Sequence, residues 1–399
     1  MTSFRQDFPI FNNNKDLIFL DSTSSSQKPA YVIDGIKDYL ENNYSNIHRG
    51  LYDIAINSEK LYFDSKKKVA EFLNAKSFAE IIYTYNSNYA LNLISQTLRF
   101  NQVLKAGDKI LVSIVEHHSN IVPWQILAKE IGVEIDFVKV DEDFNLDLVD
   151  FQKKYDENVK VVSLTHVSNV TGQIFDLKSV KKLLRDDTLF IVDASQSVPH
   201  FKVDVQEIGA DFVFFTAHKI MADSGIGVIW GKKELLEKYE PVFCGGGAIN
   251  EVKENNYKSG ALPFKFEPGT PNMSGAVSLL RALEYIENIG GYNKLEEVEN
   301  DLIKYALEKF NKLEKITLIG SKKLENRVGV FSFYIPGVHS IDIADQMAEN
   351  NICIRAGQHC TEPFMDYLGI KSSARMSIYI YNTKNDIDKF FEVLENNFL

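Results

Sequence analysis

The sequence is poor in cysteine and has no long apolar run. Its three cysteines, Cys244, Cys353 and Cys360, form no CxxC pair among 399 residues, and an odd cysteine number does not fit a disulfide framework. No apolar run approaches the roughly 18 residues that a membrane-spanning helix needs. Residues 1–14 lack the apolar core of a signal peptide. We therefore expect a reducing, cytoplasmic location and no membrane association.

Positive charge is also scarce. Lysine and arginine total 44 against 55 aspartate and glutamate residues, a formal net charge of −11, which argues against binding to duplex nucleic acid or an anionic membrane. With 45% hydrophobic and 25% charged residues, the composition excludes disordered, collagen-like and coiled-coil chains. At roughly 100–200 residues per domain, the length predicts two or three structural units. Small substrates and protein partners remain as the expected ligands.

Short apolar runs rich in β-forming residues alternate with helical patterns from about residue 65 to residue 235. Helical periodicity is present between the runs, for example in residues 121–131 and 177–184. This alternation is typical of crossover helices over a mostly parallel sheet, so we predict an α/β domain. The predicted strands are residues 81–84, 109–112, 159–164, 189–192, 212–215 and 226–230.

The pattern changes after residue 243. Residues 244–272 contain three consecutive glycines and three prolines, which predicts a long irregular loop, and loops of that length are usually functional. The pattern that follows predicts a smaller α+β domain. Its predicted elements are helices 275–289, 295–313 and 384–394 and strands 328–334, 352–354 and 374–379. We predict a large domain over residues 20–272 and a small domain over residues 1–19 and 273–399.

Two of the predicted strands end in charged residues. Asp193 follows one strand and Lys219 follows another, at a spacing of 219 − 193 = 26 residues. In open α/β sheets the ligand crevice lies outside the carboxyl ends of the strands, so both side chains can face one ligand. A desolvated lysine can bind a carbonyl, and a buried aspartate can hold a pyridinium nitrogen protonated, which suggests pyridoxal 5'-phosphate. On spacing alone, a helix cap and a solvated surface charge explain the same pair.

Eight motifs in a fixed order resolve that choice. Together, from about residue 7 to the end, they closely resemble cysteine desulfurases of the SufS type, which are pyridoxal-phosphate enzymes of the class V aminotransferase group. The resemblance implies a fold-type I transferase, with a mostly parallel seven-stranded mixed sheet in the large domain. The motifs are DSTSSSQKP (21–29), IHRG (47–50), VEHHSNIVPW (115–124), HVSN (166–169), DASQ (193–196), TAHK (216–219), FEPGTPN (266–272) and RAGQHC (355–360).

The resemblance implies a set of cofactor contacts. Lys219 resembles the lysine that binds the cofactor covalently and then moves the substrate Cα proton. Asp193 would pair with the pyridinium nitrogen, and Gln196 would hydrogen-bond the ring hydroxyl. His117 would lie over the ring face, with His118 as an adjacent candidate for that place. The other implied contacts are Asn169 near the ring hydroxyl and the substrate, Ser87, Asn88, Thr216 and His218 at the phosphate, and Thr270 reaching the phosphate from a second subunit.

The resemblance also implies the groups that act on the substrate. Cys360 resembles the cysteine whose thiolate attacks the substrate sulfur and becomes a persulfide, and His359 and Arg355 beside it would favour the thiolate. Arg375 resembles the arginine that binds the substrate carboxylate through a bidentate pair. The predicted catalytic residues are Lys219, Cys360 and His117, and the predicted substrate contacts are Arg375, Asn169, His48, Arg49 and Arg355.

Other interpretations of several residues stay open. His48 and Arg49 fit a tightly turned loop as well as they fit substrate contact. Cys353 alternates with isoleucines and fits a buried core thiol, whereas Cys244 beside three glycines fits a turn cap. We predict no metal site.

Three segments differ from the family pattern. Residues 86–88 are Asn-Ser-Asn where relatives have Gly-Thr-Thr, and residues 221–223 are Met-Ala-Asp in place of Tyr-Gly-Pro. Thr23 and Ser24 replace small alanines. These changes alter the expected phosphate contacts and pocket shape, and they leave the predicted catalytic residues and the carboxylate-binding arginine in place.

The resemblance implies conversion of L-cysteine to L-alanine, with the sulfur passed through a persulfide to a SufE-like or SufU-like acceptor protein for iron–sulfur cluster or other sulfur-carrier supply. It also implies a homodimer, because the family builds each site from two chains. Two alternatives stay open. The same residues could support a selenocysteine lyase, and the altered segments 86–88 and 221–223 motivate an inactive scaffold protein of the same fold.

Overall fold

Strands and helices alternate through the first 240 residues, as the apolar runs predict. The structure is a computed structural model that describes residues 4–399. Over the described residues the strands are β1 (Ile18–Phe19), β2 (Ile81–Thr84), β3 (Lys109–Ser113), β4 (Glu134–Val138), β5 (Val159–Thr165), β6 (Leu189–Asp193), β7 (Phe212–Thr216), β8 (Gly227–Gly231), β9 (Ile249–Lys253), β10 (Asn256–Ser259), β11 (Thr317–Ile319), β12 (Val330–Tyr334), β13 (Ile352–Cys353), β14 (Arg355–Gly357) and β15 (Ser373–Ser377).

The helices cover both faces of the main sheet and one face of a smaller sheet. They are α1 (Pro9–Asn13), α2 (Ala30–Asn42), α3 (Asp53–Phe72), α4 (Ser87–Phe100), α5 (Val122–Ile131), α6 (Leu148–Lys154), α7 (Leu177–Lys181), α8 (Val205–Ile208), α9 (Lys233–Lys238), α10 (Met273–Asn288), α11 (Gly291–Phe310), α12 (Ser340–Glu349), α13 (Glu362–Leu368) and α14 (Lys384–Phe398). Within residues 4–399 no helix is long and apolar enough to cross a membrane.

The main sheet has seven strands in the order β2-β8-β7-β6-β5-β3-β4. Strands β4, β3, β5, β6 and β7 are mutually parallel. Strand β8 is antiparallel to both of its neighbours, β7 and β2. The predicted mostly parallel seven-stranded mixed sheet is therefore confirmed, and the carboxyl ends of β2, β3, β5, β6 and β7 lie along one edge of it.

Alternate residues of each central strand enter different cores. In β7, Val213 and Phe215 pack in the core beneath α2, α3 and α10, whereas Phe212 and Phe214 pack in the core beneath α4 and α5. Both faces of a strand are thus buried, which explains why these strands are continuous apolar runs.

The smaller unit is built on a four-stranded antiparallel sheet in the order β11-β12-β15-β14. Helices α11, α12 and α14 bury their apolar sides against it and form a separate core. Strand β1 pairs with β13 of this unit, and Asp21 forms a bridge with Ser377 at the end of β15. These pairings bring the segment after β1 close to both sheets.

Two features differ from the sequence-based expectations. The run for β4 was not predicted, because this edge strand is half-exposed and carries Glu134 and Asp136. The predicted irregular loop 244–272 is wrong in part, since β9 and β10 form an antiparallel hairpin within it. The predicted domain boundary at residue 272 stays a prediction. Helix α10, which follows it, packs on α2 and α3 in the core of the large unit.

Candidate active site

A cavity of about 340 Å³ lies at the edge where the main-sheet strands end, facing the smaller unit. We call it the strand-end cavity. Its walls are formed by residues at or after the ends of β2, β3, β5, β6 and β7. Residues in or next to β14 and β15 and the segment after β1 complete the walls. Its lining residues are Thr23, Ser24, Asn86, Ser87, Asn88, His117, Ser119, Asn169, Gln196, Thr216, His218, Lys219, Arg355, His359, Cys360 and Arg375.

Lys219 ends a short 3₁₀ turn directly after β7. Burial lowers the pKa of its amine to about 8, although the nearby Asp193 carboxylate acts in the opposite direction. About a tenth of such amines are neutral at pH 7, and only the neutral amine is nucleophilic. Asp193 itself is 5% exposed and accepts a hydrogen bond from the Ser195 N–H at 2.8 Å. Burial raises the pKa of its carboxyl, so a cationic group beside it would stabilise the carboxylate.

His117 follows the β3 strand end and lines the same cavity. Burial lowers the pKa of its imidazole to about 3, and the Lys219 charge adds to the effect, so the ring is neutral at physiological pH. The Ser119 N–H donates to its Nδ1 at 3.1 Å, which leaves the ring proton on Nε2. The adjacent His118 takes a different position: its Nε2 accepts the Glu362 N–H at 3.2 Å. Of the two histidines, only His117 lines the cavity.

Five buried polar atoms of the cavity residues have no hydrogen-bond partner. They are Thr23 Oγ1, Gln196 Oε1, Thr216 Oγ1, His359 Nδ1 and Arg375 Nε. More than nine in ten buried polar groups in folded proteins are paired, so five unpaired ones around one cavity indicate a polar ligand. The amide nitrogen of Gln196 is already fixed, since it donates to the Thr23 carbonyl at 2.9 Å. This contact aims the amide oxygen away from Thr23.

The N-terminus of α4 forms another wall of the cavity. Asn86 caps this fourteen-residue helix by accepting the Tyr89 N–H at 2.8 Å. Ser87 and Asn88 occupy the first turn and line the cavity. Backbone N–H groups of a first helical turn have no intrahelical acceptor, and the helix dipole favours negative charge there. The altered segment 86–88 therefore still offers an anion-binding helix end.

Two arginines meet one carboxylate beside the cavity. Arg375 Nη1 donates to the Asn169 carbonyl at 2.9 Å, and its Nη2 lies 3.4 Å from Asp21 Oδ1. Arg355 Nη2 lies 3.2 Å from Asp21 Oδ2. Burial lowers the pKa of Arg375 to about 10, which still leaves it cationic at neutral pH. Its free Nε and loosely held Nη2 form the edge that a carboxylate can bind through two hydrogen bonds.

Cys360 is exposed in the loop between β14 and α13. His359 and Cys360 have φ values of 54° and 57°, in the left-handed region that non-glycine residues rarely adopt. Contacts from the large unit hold this loop: the His118 N–H donates to the Cys360 carbonyl at 2.8 Å, and Asn169 Nδ2 donates to the His359 carbonyl at 2.9 Å. The thiol is thereby kept on the cavity wall.

The expectation that His359 provides positive charge for Cys360 is wrong. The buried His359 ring points its Nε2 at Ser373, 3.1 Å from the carbonyl and 2.9 Å from Oγ. Burial keeps the pKa of this imidazole well below its usual range, so the ring is neutral. The cationic groups of the cavity are instead Arg355, Arg375 and Lys219.

Four predicted site residues do not line the strand-end cavity of this chain. Asp193 is one of them, and it lies buried at the end of β6. His48 packs edge-on against Phe264, with ring centroids 4.8 Å apart, and neither it nor Arg49 lines the cavity. Thr270 is exposed and lines a separate cavity of about 70 Å³, which Tyr85 and Tyr89 also line. The action of Thr270 from a second subunit and the substrate contacts of His48 and Arg49 stay predictions.

The other two cysteines lie outside the strand-end cavity. Cys353 is half-buried on β13, and Cys244 is exposed with its Sγ 3.6 Å from the Tyr257 hydroxyl. The sequence did not predict that Asp21 contacts Arg375 and Arg355, or that Ser119 contacts His117. For Asp21, the only available signal was a carboxylate that follows the apolar residues of β1. Within residues 4–399 no cluster of three or more His, Cys, Asp or Glu side chains is arranged to hold a metal ion.

Comparison with known proteins identifies the family of the chain. The family model for class-V aminotransferases matches residues 18–390. The chain is 39% identical to a probable cysteine desulfurase of Halalkalibacterium halodurans, covering 97% of this chain and 95% of that protein. It is also 39% identical to a probable cysteine desulfurase of Pyrococcus abyssi, covering 98% and 96%.

Solved structures give the same result. The apo cysteine desulfurase of Thermococcus onnurineus superposes with a TM-score of 0.94 at 36% identity, covering 99% of this chain and 98% of that one. The cysteine desulfurase CsdA of Escherichia coli superposes with a TM-score of 0.90 at 30% identity, covering 98% and 97%. The predicted resemblance to cysteine desulfurases and the predicted fold are confirmed. The chain belongs to the class-V aminotransferase family.

Proposed function

We propose that this chain is a pyridoxal-phosphate-dependent cysteine desulfurase. It converts L-cysteine to L-alanine and keeps the sulfur on Cys360 as a persulfide. The observation that carries the proposal is that a low-pKa amine, a buried guanidinium and an exposed thiol, those of Lys219, Arg375 and Cys360, converge on one cavity. Relatives 39% identical over nearly the whole chain are named probable cysteine desulfurases.

The cavity residues fit pyridoxal phosphate. When bound, this cofactor supplies an aldehyde for an amine and a ring that withdraws electrons from the substrate Cα. Asp193 would stabilise a protonated ring nitrogen, and the unpaired Gln196 Oε1 would accept the ring hydroxyl. The unpaired Thr216 Oγ1, His218 and the first turn of α4 with Ser87 and Asn88 would hold the phosphate.

The chain's own residues then divide the reaction among them. The neutral His117 would cover one face of the ring, and Arg375 with Asn169 would orient the substrate carboxylate. Lys219 Nζ would move the Cα proton. The substrate C–S bond breaks while an S–S bond to Cys360 forms, and the substrate carbon takes up a proton. Alanine leaves, and Cys360 holds the persulfide.

Two exposed features support the proposed partners, the Cys360 thiol and the apolar segment near His48. Cys360 is exposed, so an acceptor thiol on a SufE-like or SufU-like protein can reach it in a reducing, cytoplasmic setting. A homodimer would give His48, Arg49 and Thr270 a role at the neighbouring site. Near His48, Leu51 is 93% exposed, and Ile54 and Ile56 are also exposed, which supports burial of this segment by a second copy.

One assay tests the proposed function. The protein loaded with pyridoxal phosphate is mixed with L-cysteine and a thiol reductant, and alanine and sulfide are measured together. We expect equal amounts of both, because the reductant releases each persulfide sulfur as sulfide. Absence of alanine would contradict the proposal and favour the scaffold alternative. L-selenocysteine in place of L-cysteine compares the lyase alternative in the same assay.

Arg375→Leu tests the carboxylate contact. We expect the KM for L-cysteine to rise about 10- to 150-fold, the value of one or two hydrogen bonds to a charged group, while cofactor binding persists. Arg355→Leu is the matched control, since this side chain is 50% exposed and should matter less. An unchanged KM in Arg375→Leu would assign the substrate carboxylate to another cation.

A further inference from the structure

Several hydrogen bonds join segment 22–29 to the turn that carries Lys219. The carbonyl of His218, the residue directly before Lys219, accepts hydrogen bonds from the Ser26 N–H at 3.2 Å, from Ser26 Oγ at 3.2 Å and from Ser25 Oγ at 3.2 Å. Lys28 Nζ donates to the same oxygen at 3.1 Å. A carbonyl oxygen has two lone pairs, so these four donors share it, and a charged donor takes the strongest part of that contact.

Lys28 is the only charged member of this set of donors. Its Nζ also donates to the Ser26 carbonyl at 2.5 Å. The ammonium therefore bridges the carbonyls of Ser26 and His218. Hydrogen bonds from a charged donor are roughly twice as strong as neutral ones. Burial lowers the pKa of Lys28 to about 8, and the Asp223 carboxylate acts in the opposite direction. The ammonium form is therefore still the main form at pH 7.

Asp223 lies where relatives in the family pattern have a proline. Lys28 and Asp223 line one cavity of about 460 Å³, together with residues of α2 that include Lys37 and Glu41. The Asp223 N–H donates to Ser278 Oγ of α10 at 3.0 Å, and the Met221 N–H donates to Ser26 Oγ at 2.7 Å. The altered segment 221–223 thus supplies a countercharge for Lys28 and a second anchor for the same turn.

We propose that Lys28 is a positioning residue for Lys219. Its ammonium holds the His218 carbonyl and so fixes the backbone from which the Lys219 side chain enters the strand-end cavity, with Asp223 as the countercharge. This rests on the proposed function, because the placement of Lys219 matters for binding the cofactor carbonyl and for moving the substrate proton. A 1 Å misplacement of a reacting group can cost about a hundredfold in rate.

The test compares Lys28→Met, Lys28→Gln and Lys28→Arg with wild type. The apo-proteins are mixed with pyridoxal phosphate, and the rate of covalent attachment to Lys219 is followed by absorbance and borohydride trapping. We expect attachment about 10- to 100-fold slower in Lys28→Met and Lys28→Gln, with rescue in Lys28→Arg. In the cysteine assay kcat should fall while the KM for L-cysteine stays constant, because Arg375 is untouched.

Lys37→Met is the matched control, because Lys37 lines the same cavity and is 67% exposed. It should attach the cofactor at the wild-type rate. Wild-type attachment rates in both Lys28→Met and Lys28→Gln would overturn the proposal, including when their melting temperatures fall, since that result assigns Lys28 to stability alone. If Lys28→Met does not fold, Lys28→Gln decides. Absence of alanine formation in wild type would contradict the proposed function, whereas the attachment rate would still decide the role of Lys28.

Discussion

Lys219→Ala should abolish covalent attachment of pyridoxal phosphate and turnover of L-cysteine. Lys219 follows the end of β7 and lines the strand-end cavity, and burial lowers the pKa of its amine to about 8. Loss of proton transfer alone should cost about 10²- to 10⁴-fold in kcat, and loss of the amine nucleophile adds to it. Noncovalent cofactor should remain, because Asp193, Gln196 and the start of α4 are intact. Borohydride trapping and alanine release measure the two effects separately.

Lys219→Arg is the matched control, since it keeps a cation of similar length and removes the nucleophilic amine. We expect it to behave like Lys219→Ala in trapping, which separates the amine's chemistry from its charge. A cofactor bond that borohydride still fixes in Lys219→Ala would assign attachment to another lysine. Peptide mapping would identify it, and Lys28 beside the His218 carbonyl is the first to examine.

The sequence predicts the main sheet well because its central strands are buried on both faces. Strand β7 is predicted over residues 212–215 and observed over Phe212–Thr216. The edge strand β4 was missed because it is only partly buried and because Glu134 and Asp136 interrupt the apolar run. The hairpin of β9 and β10 was missed for a similar reason: it pairs only with itself and is largely exposed.

The site was predicted in part. The family resemblance assigned Lys219, Arg375 and Cys360 to one site, and all three line one cavity in the structure. The contact between Asp21 and Arg375 joins residues 354 positions apart, and no local pattern reports such a pairing. His48 and Thr270 lie away from the cavity of this chain. The resemblance implies that Thr270 acts from a second subunit, and a single chain does not test that prediction.

Cys360→Ala should separate substrate binding from sulfur transfer. We expect L-cysteine still to change the absorbance of the bound cofactor, because Lys219, Arg375 and Asn169 are unaltered. Alanine formation should fall about 10³-fold or more, as when other enzymes lose their nucleophile, since no acceptor is left for the substrate sulfur. Rapid-mixing absorbance and alanine measurement on the same sample check both statements.

The other two cysteines provide the controls for this prediction. Cys244 is exposed but does not line the cavity, and Cys353 is half-buried on β13, where burial raises the pKa of its thiol. Cys244→Ala and Cys353→Ala should therefore release alanine at the wild-type rate. Cys360 forms part of the cavity wall, where the His118 N–H and the Asn169 amide hold its loop in the left-handed conformation. Normal alanine release in Cys360→Ala would mean that the substrate sulfur leaves without this thiol, and that the persulfide assignment is wrong.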